Sequence, residues 1–494
     1  MDGESPVAAI RVAACAARRS RARTTKLPPV PLIVLAAILG FTALRGRADE
    51  APARPPNVIV ILVDDLGAGD LSCQGSRFHD TPHIDRLAAA GIRFTAGYAA
   101  CTVCSPTRAA LLTGQSPARL HITDWIAGHE NPQAKLRIPD WQKQLPLEAV
   151  TLAERLSGAG YATASIGKWH LGGADHGPEQ QGFDINIAGT DRGQPPSYFS
   201  PYKISTLPDG PDGEYLTDRL TAEAVAFLEA NRDRPFFLSL PHFAVHTPLQ
   251  AKPDVEANYV TAGGLPDTAS RAGKPIGGEK GFGQSNATYA AMVESVDDSV
   301  GRIVETLDRL GLRDTTAIFF TSDNGGLLPV TDNRPLRAGK GSAWEGGVRV
   351  PFIVSWPGFT SPGTTSSEPV ITMDIPATIL DLTGVGPEPG QPFDGVSLTP
   401  VFRGDSLDRH ALHWHYPHYH PGGATPHSAI RAADWRLVHF HEDGHDELYN
   451  LRDDPGERTD RAAAEPARAA GMRRDLEAWL GEVGAQLPTP NPGL

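Results

Sequence analysis

The most informative segment of the chain runs from Asn57 to Gly67 and reads NVIVILVDDLG. Its first part is continuously apolar and rich in β-branched residues, a pattern typical of a strand that is covered on both faces in a parallel sheet. The segment ends in two carboxylates, Asp64 and Asp65, and open α/β sheets bind their ligands at the carboxyl ends of such strands. One aspartate would be enough for a turn or a helix cap, so the adjacent pair beside Gly67 indicates a bound cation.

Other segments repeat this arrangement of an apolar strand followed by polar residues, and helical patterns separate them. The alternation predicts an α/β fold with a large mixed, mostly parallel sheet flanked by helices, which we place at residues 55–390. The predicted strands are Tyr161–Ile166, Phe236–Leu240, Thr316–Thr321 and Val350–Ser355, and the predicted helices are Ile84–Ala90, Thr151–Ala159, Leu216–Arg232, Tyr289–Leu312 and Met373–Leu382.

The pattern changes after about Asp394. Strand patterns over residues 428–440 and 447–451 precede a helical pattern over residues 466–480. We therefore expect a smaller C-terminal α+β subdomain with an antiparallel sheet at residues 391–494.

Length and charge restrict the class of protein. The chain has 494 residues, enough for both parts, and a net charge of −13. Such an acidic protein is not expected to bind nucleic acid. If its ligand is an anion, it must bind that ligand through local cations rather than through its overall field.

The N-terminus combines a basic region with an apolar run from Val30 to Leu44. This run has the length of a signal-peptide core and is too short to span a bilayer comfortably. Cleavage is expected after Ala48, although Arg45 and Arg47 make the site imperfect. Residues 1–48 are thus predicted to be a signal peptide or, if uncleaved, an N-terminal anchor that provides the only membrane contact. In both cases we expect export to the periplasm or the extracellular space.

A second segment, from Cys104 to Gly114, reads CSPTRAALLTG. Pro106 suits the first turn of a helix, and the residues from Ala109 onward are good helix formers. Cys104 is therefore expected just ahead of a helix N-terminus, where free N–H groups and the helix dipole favour negative charge. Arg108 adds a permanent cation at the same end.

The Cys-x-Pro-x-Arg run with its closing Leu-Thr-Gly resembles the signature of type I sulfatases, the arylsulfatase-like branch of the alkaline phosphatase superfamily. Further shared motifs are Thr81–Asp85, the Gly-Lys-Trp-His run that contains Lys168 and His170, His246 followed by x-Pro, and Glu345–Pro351. The resemblance implies an alkaline-phosphatase-like fold. It also implies that a formylglycine-generating enzyme oxidises Cys104 to formylglycine.

Candidate metal ligands lie at the ends of two predicted strands. Asp64, Asp65, Asp323 and Asn324 are hard oxygen donors, the set that Ca²⁺ prefers, with Mg²⁺ as the alternative. No histidine is needed in this set. A thiolate at Cys104 would be a soft ligand for such an ion, whereas the hydrated aldehyde at this position would supply an oxygen.

The resemblance also implies a mechanism and a role for each candidate catalytic residue. A hydroxyl of the hydrate attacks sulfur, the alcohol leaves, and deprotonation of the second hydroxyl expels sulfate from residue 104. Lys168 and Lys340 bind sulfate oxygens, and Arg108 orients the hydrate. His246, with Lys340, protonates the leaving oxygen, and His170 takes the proton from the hydrate. The two histidines could exchange these roles.

Two features remain open from the sequence. Cys101 forms a Cys-x-x-Cys pair with Cys104, and after conversion of Cys104 it could pair with Cys73 or stay buried. Six histidines from His410 to His427 crowd into a stretch that looks like a loop. A polar substrate pocket suits this stretch better than a second metal site or a solvated loop.

The predicted reaction is hydrolysis of sulfate esters, most plausibly of sulfated carbohydrates, with aryl sulfates as surrogates. One alternative is a phosphonate or phosphate monoester hydrolase of the same superfamily, although most of its phosphatases use Ser or Thr and two zinc ions. The other is a non-catalytic protein that binds sulfated glycans, which would not need Cys104.

Overall fold

The computed structural model describes residues 55–260 and 284–493. The predicted leader lies outside these residues, as does most of the Gly- and Pro-rich stretch between residues 253 and 285. None of the helices in the described ranges has the length and hydrophobicity needed to cross a membrane.

Strands and helices alternate along most of the described chain. The strands are β1 (Asn57–Val63), β2 (Ile92–Phe94), β3 (Gly97–Tyr98), β4 (Leu136–Arg137), β5 (Ala162–Ile166), β6 (Ile185–Ile187), β7 (Phe236–Pro241), β8 (Thr316–Ser322), β9 (Phe352–Ser355), β10 (Thr364–Ser366), β11 (Val370–Ile371), β12 (Leu412–Tyr416), β13 (His427–Ala432), β14 (Trp435–Phe440), β15 (Asp446–Asn450) and β16 (Thr489–Pro490).

The helices flank these strands, and each predicted helix agrees with an observed one to within a few residues. They are α1 (Pro82–Ala89), α2 (Cys104–Thr113), α3 (Pro117–Leu120), α4 (Leu152–Gly158), α5 (Leu216–Ala230), α6 (Pro253–Glu256), α7 (Ala287–Leu310), α8 (Glu345–Val348), α9 (Asp374–Thr383), α10 (Thr399–Phe402) and α11 (Pro466–Glu482).

The large sheet has the strand order β10-β2-β9-β8-β1-β7-β5-β6. Its neighbouring strands are parallel except around β9, which runs antiparallel to both β2 and β8. The segment from Asn57 to Val63 is central, because β1 pairs with β8 on one side and β7 on the other. The prediction of a large mixed, mostly parallel sheet flanked by helices is confirmed.

The core explains why β1 is apolar throughout. Ile59 and Ile61 pack with helices α5 and α7 on one face of the sheet, whereas Val58 and Val60 pack with α2, α4 and α9 on the other. Successive side chains of a strand point to opposite faces, so both sets must be hydrophobic when both faces are covered.

The C-terminal part forms a four-stranded antiparallel sheet in the order β12-β13-β14-β15, with α11 packed on β13 and β14. A buried guanidinium joins it to the loop before α8: Arg436 donates to Glu457 at 2.6 Å and to the Ala343 carbonyl at 2.6 Å. The smaller C-terminal strand subdomain is confirmed, whereas a boundary at residue 390 stays a prediction.

Two local expectations were wrong. Cys104 is the first residue of α2 rather than the residue ahead of it, because Val103 has the extended backbone of the N-cap. The histidine-rich stretch is not a continuous loop, since it contains β12 and begins β13.

Candidate active site

Four oxygen-bearing side chains meet where β1 and β8 end. We call Asp64, Asp65, Asp323 and Asn324 the oxygen cluster; all four are at most 1% exposed. The Asn324 amide donates to Asp65 at 2.7 Å, and the Asp65 backbone N–H donates to Asp323 at 3.3 Å. Parallel pairing of β1 with β8 brings both strand ends to one edge of the sheet, which is why residues 258 positions apart touch.

Each carboxylate of the oxygen cluster is bound by a cation. Lys168 Nζ lies 2.6 Å from Asp64, and Lys340 Nζ lies 2.6 Å from Asp65. Arg108 donates to one oxygen of Asp323 through both Nε, at 2.9 Å, and Nη2, at 2.7 Å.

The same guanidinium also donates from Nη1 to the Lys168 carbonyl at 2.8 Å. Arg108 therefore ties the start of α2 to β8 and to the chain after β5.

The three carboxylates of the oxygen cluster are buried close together, and this proximity shifts their pKa values in different directions. Burial raises the pKa of Asp64 well above its ordinary value, and the neighbouring Asp323 carboxylate adds to this. Burial acts in the same direction on Asp65, but Lys340 and His246 outweigh it, so the pKa of Asp65 is lowered. At Asp323 burial is again opposed, here by Arg108 and Lys168, and the pKa of Asp323 is lowered. A further cation would relieve the repulsion that remains at Asp64.

Three oxygens of the cluster fit a metal ion. Asp64 Oδ1, Asp65 Oδ2 and Asn324 Oδ1 are buried and have no hydrogen-bond partner among the described residues. Buried polar atoms are nearly always satisfied, and carboxylate and amide oxygens are the ligands of hard divalent cations. Asp323 is less available, because Arg108 occupies Oδ2 and the Asp65 N–H reaches Oδ1.

His246 lies beside these oxygens, with Nε2 at 3.7 Å from Asp65 Oδ2. Ligand atoms of Asp64, Asp65 and His246 all lie within 4.8 Å of one another. The Nδ1–H of His246 donates to the Thr247 carbonyl at 2.8 Å, which leaves Nε2 without a proton on the neutral ring. Burial lowers the pKa of His246 to about 3.

Cys104 faces His170. The distance from Sγ to His170 Nδ1 is 3.4 Å, and Nε2 of the same ring donates to the Ile126 carbonyl. Because Nε2 holds the proton, Nδ1 presents its lone pair to residue 104. Burial lowers the pKa of His170 well below its ordinary value, and the charge of Lys168 adds to this.

A turn, not an extended strand, brings Lys168 and His170 to the site. The two residues are two positions apart, as residues on one face of a strand would be, but β5 ends at Ile166. Gly167 has φ +130°, and a Cβ there would lie 2.0 Å from the Pro241 carbonyl oxygen. His170 has φ 59°, so the backbone bends again before its side chain reaches Cys104.

A cavity of about 660 Å³ opens above Cys104. We call Cys104, His170, His246 and Lys340 its floor, because these predicted catalytic residues line it together. Lys168 and Arg108 are not among the lining residues; both lie behind the floor, bound to Asp64 and Asp323.

The upper part of the cavity contains residues that the sequence did not single out. We call Asp191, Arg192 and Gln194 its mouth; they are exposed and belong to the loop after β6. These residues lie in a polar loop that follows β6, the strand next to β5. That position could have identified them from the sequence as candidate ligand-binding residues. Trp125 also lines the cavity, whereas Trp141 is buried against His418.

Ser105 is a second residue that was missed. Its hydroxyl donates to the His170 carbonyl at 3.0 Å and accepts from the Ile126 N–H at 3.1 Å. Ser105 thus links the backbone of His170 to Ile126, whose carbonyl accepts the hydrogen bond from the His170 ring. No residue type or spacing in the sequence signals such a backbone contact.

The histidine-rich segment is mostly structural. Among the described residues, no group of three possible metal-ligating side chains includes a histidine from this segment. His415 and His427 are buried on paired strands, and His418 contacts Thr123 at 2.8 Å.

Of the six histidines from His410 to His427, only His420 is among the residues that line the cavity. Its Nδ1 accepts from the Gly422 N–H at 3.0 Å, so the neutral ring carries its proton on Nε2. It packs on Gly341, where a Cβ would lie 2.2 Å from the ring.

The structure also places His242, which follows β7, and the two remaining cysteines. His242 is buried, with Nε2 at 3.1 Å from the Ser299 hydroxyl, and belongs to the core. Cys73 and Cys101 are both free thiols.

Comparison with known proteins identifies the family. The family model described as Sulfatase matches residues 56–385. The chain belongs to the sulfatase family. A further model, described as N-sulphoglucosamine sulphohydrolase, C-terminal, matches residues 339–483 of this sulfatase. The prediction of a sulfuric ester hydrolase is thereby confirmed.

Individual relatives of the sulfatase span most of its length. The steryl-sulfatase of Mus musculus is 32% identical over 548 residues, covering 87% of this chain and 82% of the relative. Arylsulfatase A of Homo sapiens is 33% identical, and the match covers 80% of this chain and 77% of the relative. Among solved structures, the crystal structure of Ps i-CgsB in complex with k-i-k-neocarrahexaose is similar, with a TM-score of 0.71 and 31% sequence identity. The match covers 86% of this chain and 93% of that chain.

Proposed function

We propose that this sulfatase hydrolyses sulfate esters of carbohydrates with a nucleophile derived from Cys104 and a divalent cation at the oxygen cluster. One observation carries the proposal. Lys340 and His246 line the same cavity as Cys104, and both contact Asp65 of the oxygen cluster. The predicted nucleophile and the predicted metal ligands thus share one site, although they come from distant parts of the chain.

Asp64, Asp65 and Asn324 would hold Ca²⁺, or Mg²⁺, through their unpartnered oxygens, and Asp323 would complete the negative charge around it. When bound, the cation would supply positive charge next to the sulfate oxygens. Behind the cluster, Lys168 and Arg108 neutralise Asp64 and Asp323. Direct binding of sulfate oxygens by Lys168 stays a prediction, because its ammonium is bound to Asp64.

Conversion of Cys104 to formylglycine would supply a hydrated aldehyde, an oxygen nucleophile suited to attack on sulfur. His170 would accept the proton from the group on residue 104, since its Nδ1 faces that group at 3.4 Å. The Ile126 carbonyl holds the His170 ring in this orientation. Arg108 holds the start of α2, and therefore residue 104, against the oxygen cluster.

The leaving oxygen would meet Lys340 and His246 on the cavity side of the oxygen cluster. The Lys340 ammonium has three N–H donors and spends one on Asp65. His246 must first gain a proton on Nε2 to donate, because its Nδ1–H is bound to the Thr247 carbonyl. We therefore assign protonation of the leaving oxygen mainly to Lys340, with His246 as the second donor.

A sugar suits the rest of the cavity. The ring of Trp125 offers an apolar surface, while Asp191, Gln194 and His420 offer polar groups for hydroxyls. The Ps i-CgsB structure contains a neocarrahexaose, which favours a carbohydrate, whereas the steryl-sulfatase match names a different substrate class. We also propose that the protein is exported to the periplasm or the extracellular space, on the basis of the leader. N-terminal sequencing of protein from fractionated cells tests this proposal.

The nucleophile is tested by replacement. Cys104→Ala should lower turnover of nitrophenyl sulfate by about 10⁴-fold or more, the scale of losing a covalent nucleophile. Cys101→Ala is the matched control, because Cys101 is an equally buried free thiol that does not line the cavity. Retained turnover in the Cys104→Ala protein would refute the assignment.

Two further measurements separate the alternatives. Mass spectrometry of the peptide containing residue 104 should show an aldehyde in place of the thiol after co-expression with a formylglycine-generating enzyme. Nitrophenyl sulfate should be turned over faster than nitrophenyl phosphate by the matured protein. Faster phosphate turnover would instead indicate a phosphate ester hydrolase.

A further inference from the structure

The loop after β6 lines two spaces at once. Asp191, Arg192, Gln194 and Pro196 face the main cavity, and the same four residues also line a smaller neighbouring pocket of about 70 Å³. We call this smaller space, which Lys203 and Ser205 also line, the side pocket. The shared residues make the two spaces direct neighbours.

The side pocket is lined by two cationic side chains that are not paired with any other described residue. Arg192 and Lys203 are both exposed, and within residues 55–260 and 284–493 neither side chain makes a hydrogen bond or an ion pair. Arg108, Lys168 and Lys340 at the oxygen cluster are each bound to a carboxylate. Asp191 is the acidic residue of the side pocket, so two positive charges face one negative charge there.

Size restricts what the side pocket can accept. A volume of about 70 Å³ suits a group as large as a few water molecules. A sulfate or a carboxylate group has this size, whereas a sugar ring does not. The Ser205 hydroxyl at its wall can donate to an anion as well.

We propose that the side pocket binds a second anionic group, a sulfate or a carboxylate, of the substrate whose sulfate ester lies above Cys104. This rests on the proposed function and narrows its substrates to carbohydrates with two or more negative charges. The protein carries a net charge of −13, so its overall field opposes such substrates. Local cations at the side pocket are therefore needed, and Asp191 limits how strongly they bind the anion.

The test compares sulfated sugars that differ in one charge. The substrates are a monosulfated disaccharide, the same disaccharide with a second sulfate, and the same disaccharide with a carboxylate instead. The proteins are the parent, Arg192→Gln, Lys203→Gln, the double variant and Asp191→Asn. Arg403→Gln is the matched control, because Arg403 is an exposed arginine that lines neither space.

The readout is the ratio of kcat/KM for a two-anion substrate to kcat/KM for the one-anion substrate. Arg192→Gln and Lys203→Gln should each lower this ratio by about tenfold, the scale of one charge-assisted hydrogen bond. Asp191→Asn should raise it, and Arg403→Gln should leave it unchanged. The anion that gives the higher parent ratio, sulfate or carboxylate, identifies the group.

The inference is overturned if the ratio is the same in the parent and the double variant, or if Arg403→Gln lowers it equally. Turnover of nitrophenyl sulfate by the parent reports separately on the proposed function. If the parent turns over nitrophenyl sulfate but the ratio does not respond to the variants, only the side pocket is refuted. Thermal unfolding of each variant shows that the changes do not come from loss of the fold.

Discussion

At the oxygen cluster Arg108, Lys168 and Lys340 are each bound to a carboxylate, whereas at the side pocket Arg192 and Lys203 have no such partner among the described residues. The first three are buried or nearly so, and the last two are exposed. Buried charges need partners because desolvation is costly, whereas exposed charges are stabilised by water. The difference separates two functions: the oxygen cluster keeps its geometry without a substrate, and the side pocket keeps its positive charge available for one.

The largest effect should come from breaking an ion pair at the oxygen cluster. Asp323→Asn removes the carboxylate that Arg108, 3% exposed, binds at 2.7 Å and leaves it only Asp64, at 3.7 Å. This should lower the free energy of unfolding by about 3–5 kcal/mol. Turnover should also be lost. Urea unfolding of the variant and the parent measures the first effect.

The matched control is an exposed pair of the same kind. Arg309 and Glu229 lie 2.5 Å apart with side chains 57% and 47% exposed. Glu229→Gln should change the free energy of unfolding by about 1 kcal/mol or less. Equal losses in the two variants would show that burial does not distinguish the pairs.

A smaller effect is expected from the cation. The free oxygens of Asp64, Asp65 and Asn324 predict that Ca²⁺ stabilises the folded protein, by about 2.7 kcal/mol when it is present at a hundred times its Kd. Thermal unfolding in Ca²⁺, in Mg²⁺ and in EDTA measures this shift without any assay of activity.

Two variants show where the ion binds. Asp64→Asn should remove the stabilisation by Ca²⁺, and Asp298→Asn should retain it. Asp298 belongs to a second acidic group, with His83 and Asp297, in which Asp297 accepts the backbone N–H groups of His83 and Ile84 at the start of α1. The reverse result would place the ion at that second group.

The smallest effect concerns Ser105, which acts through other residues. Ser105→Ala removes two hydrogen bonds but leaves the His170 ring bound to Ile126, so kcat should fall by about tenfold. The formylglycine content of residue 104 must be measured in the same sample, because poor conversion would lower kcat for a different reason. Ser295→Ala, which removes a hydroxyl contact within α7, should leave kcat unchanged.

The oxygen cluster was predictable because strand ends can be recognised in a sequence. The run before Asp64 is apolar enough to identify a central strand, and Asp323 follows a second such run. Parallel pairing then requires both ends to meet. Lys340 and His246 came only from resemblance to the family, and the structure places both against Asp65.

The mouth was not predictable in the same way. Asp191 and Arg192 lie in a loop, and no periodic pattern relates that loop to Trp125 or to His420, which lies between β12 and β13. The histidine-rich stretch was misjudged for a different reason: β12 pairs with the next strand along the chain, but mixed His, Pro and Gly hide its alternation. The leader and the boundary at residue 390 stay predictions.

The burial of α2 has a consequence for the order of events in the cell. All ten residues of this helix are buried, so the cavity admits a small substrate to residue 104 but leaves no room for the active site of another protein around it. If Cys104 is matured as proposed, the modifying enzyme must act on the chain while α2 is still unfolded. Any change that makes this region fold faster would then shorten the interval for maturation, and a perfectly folded protein could be an inactive one.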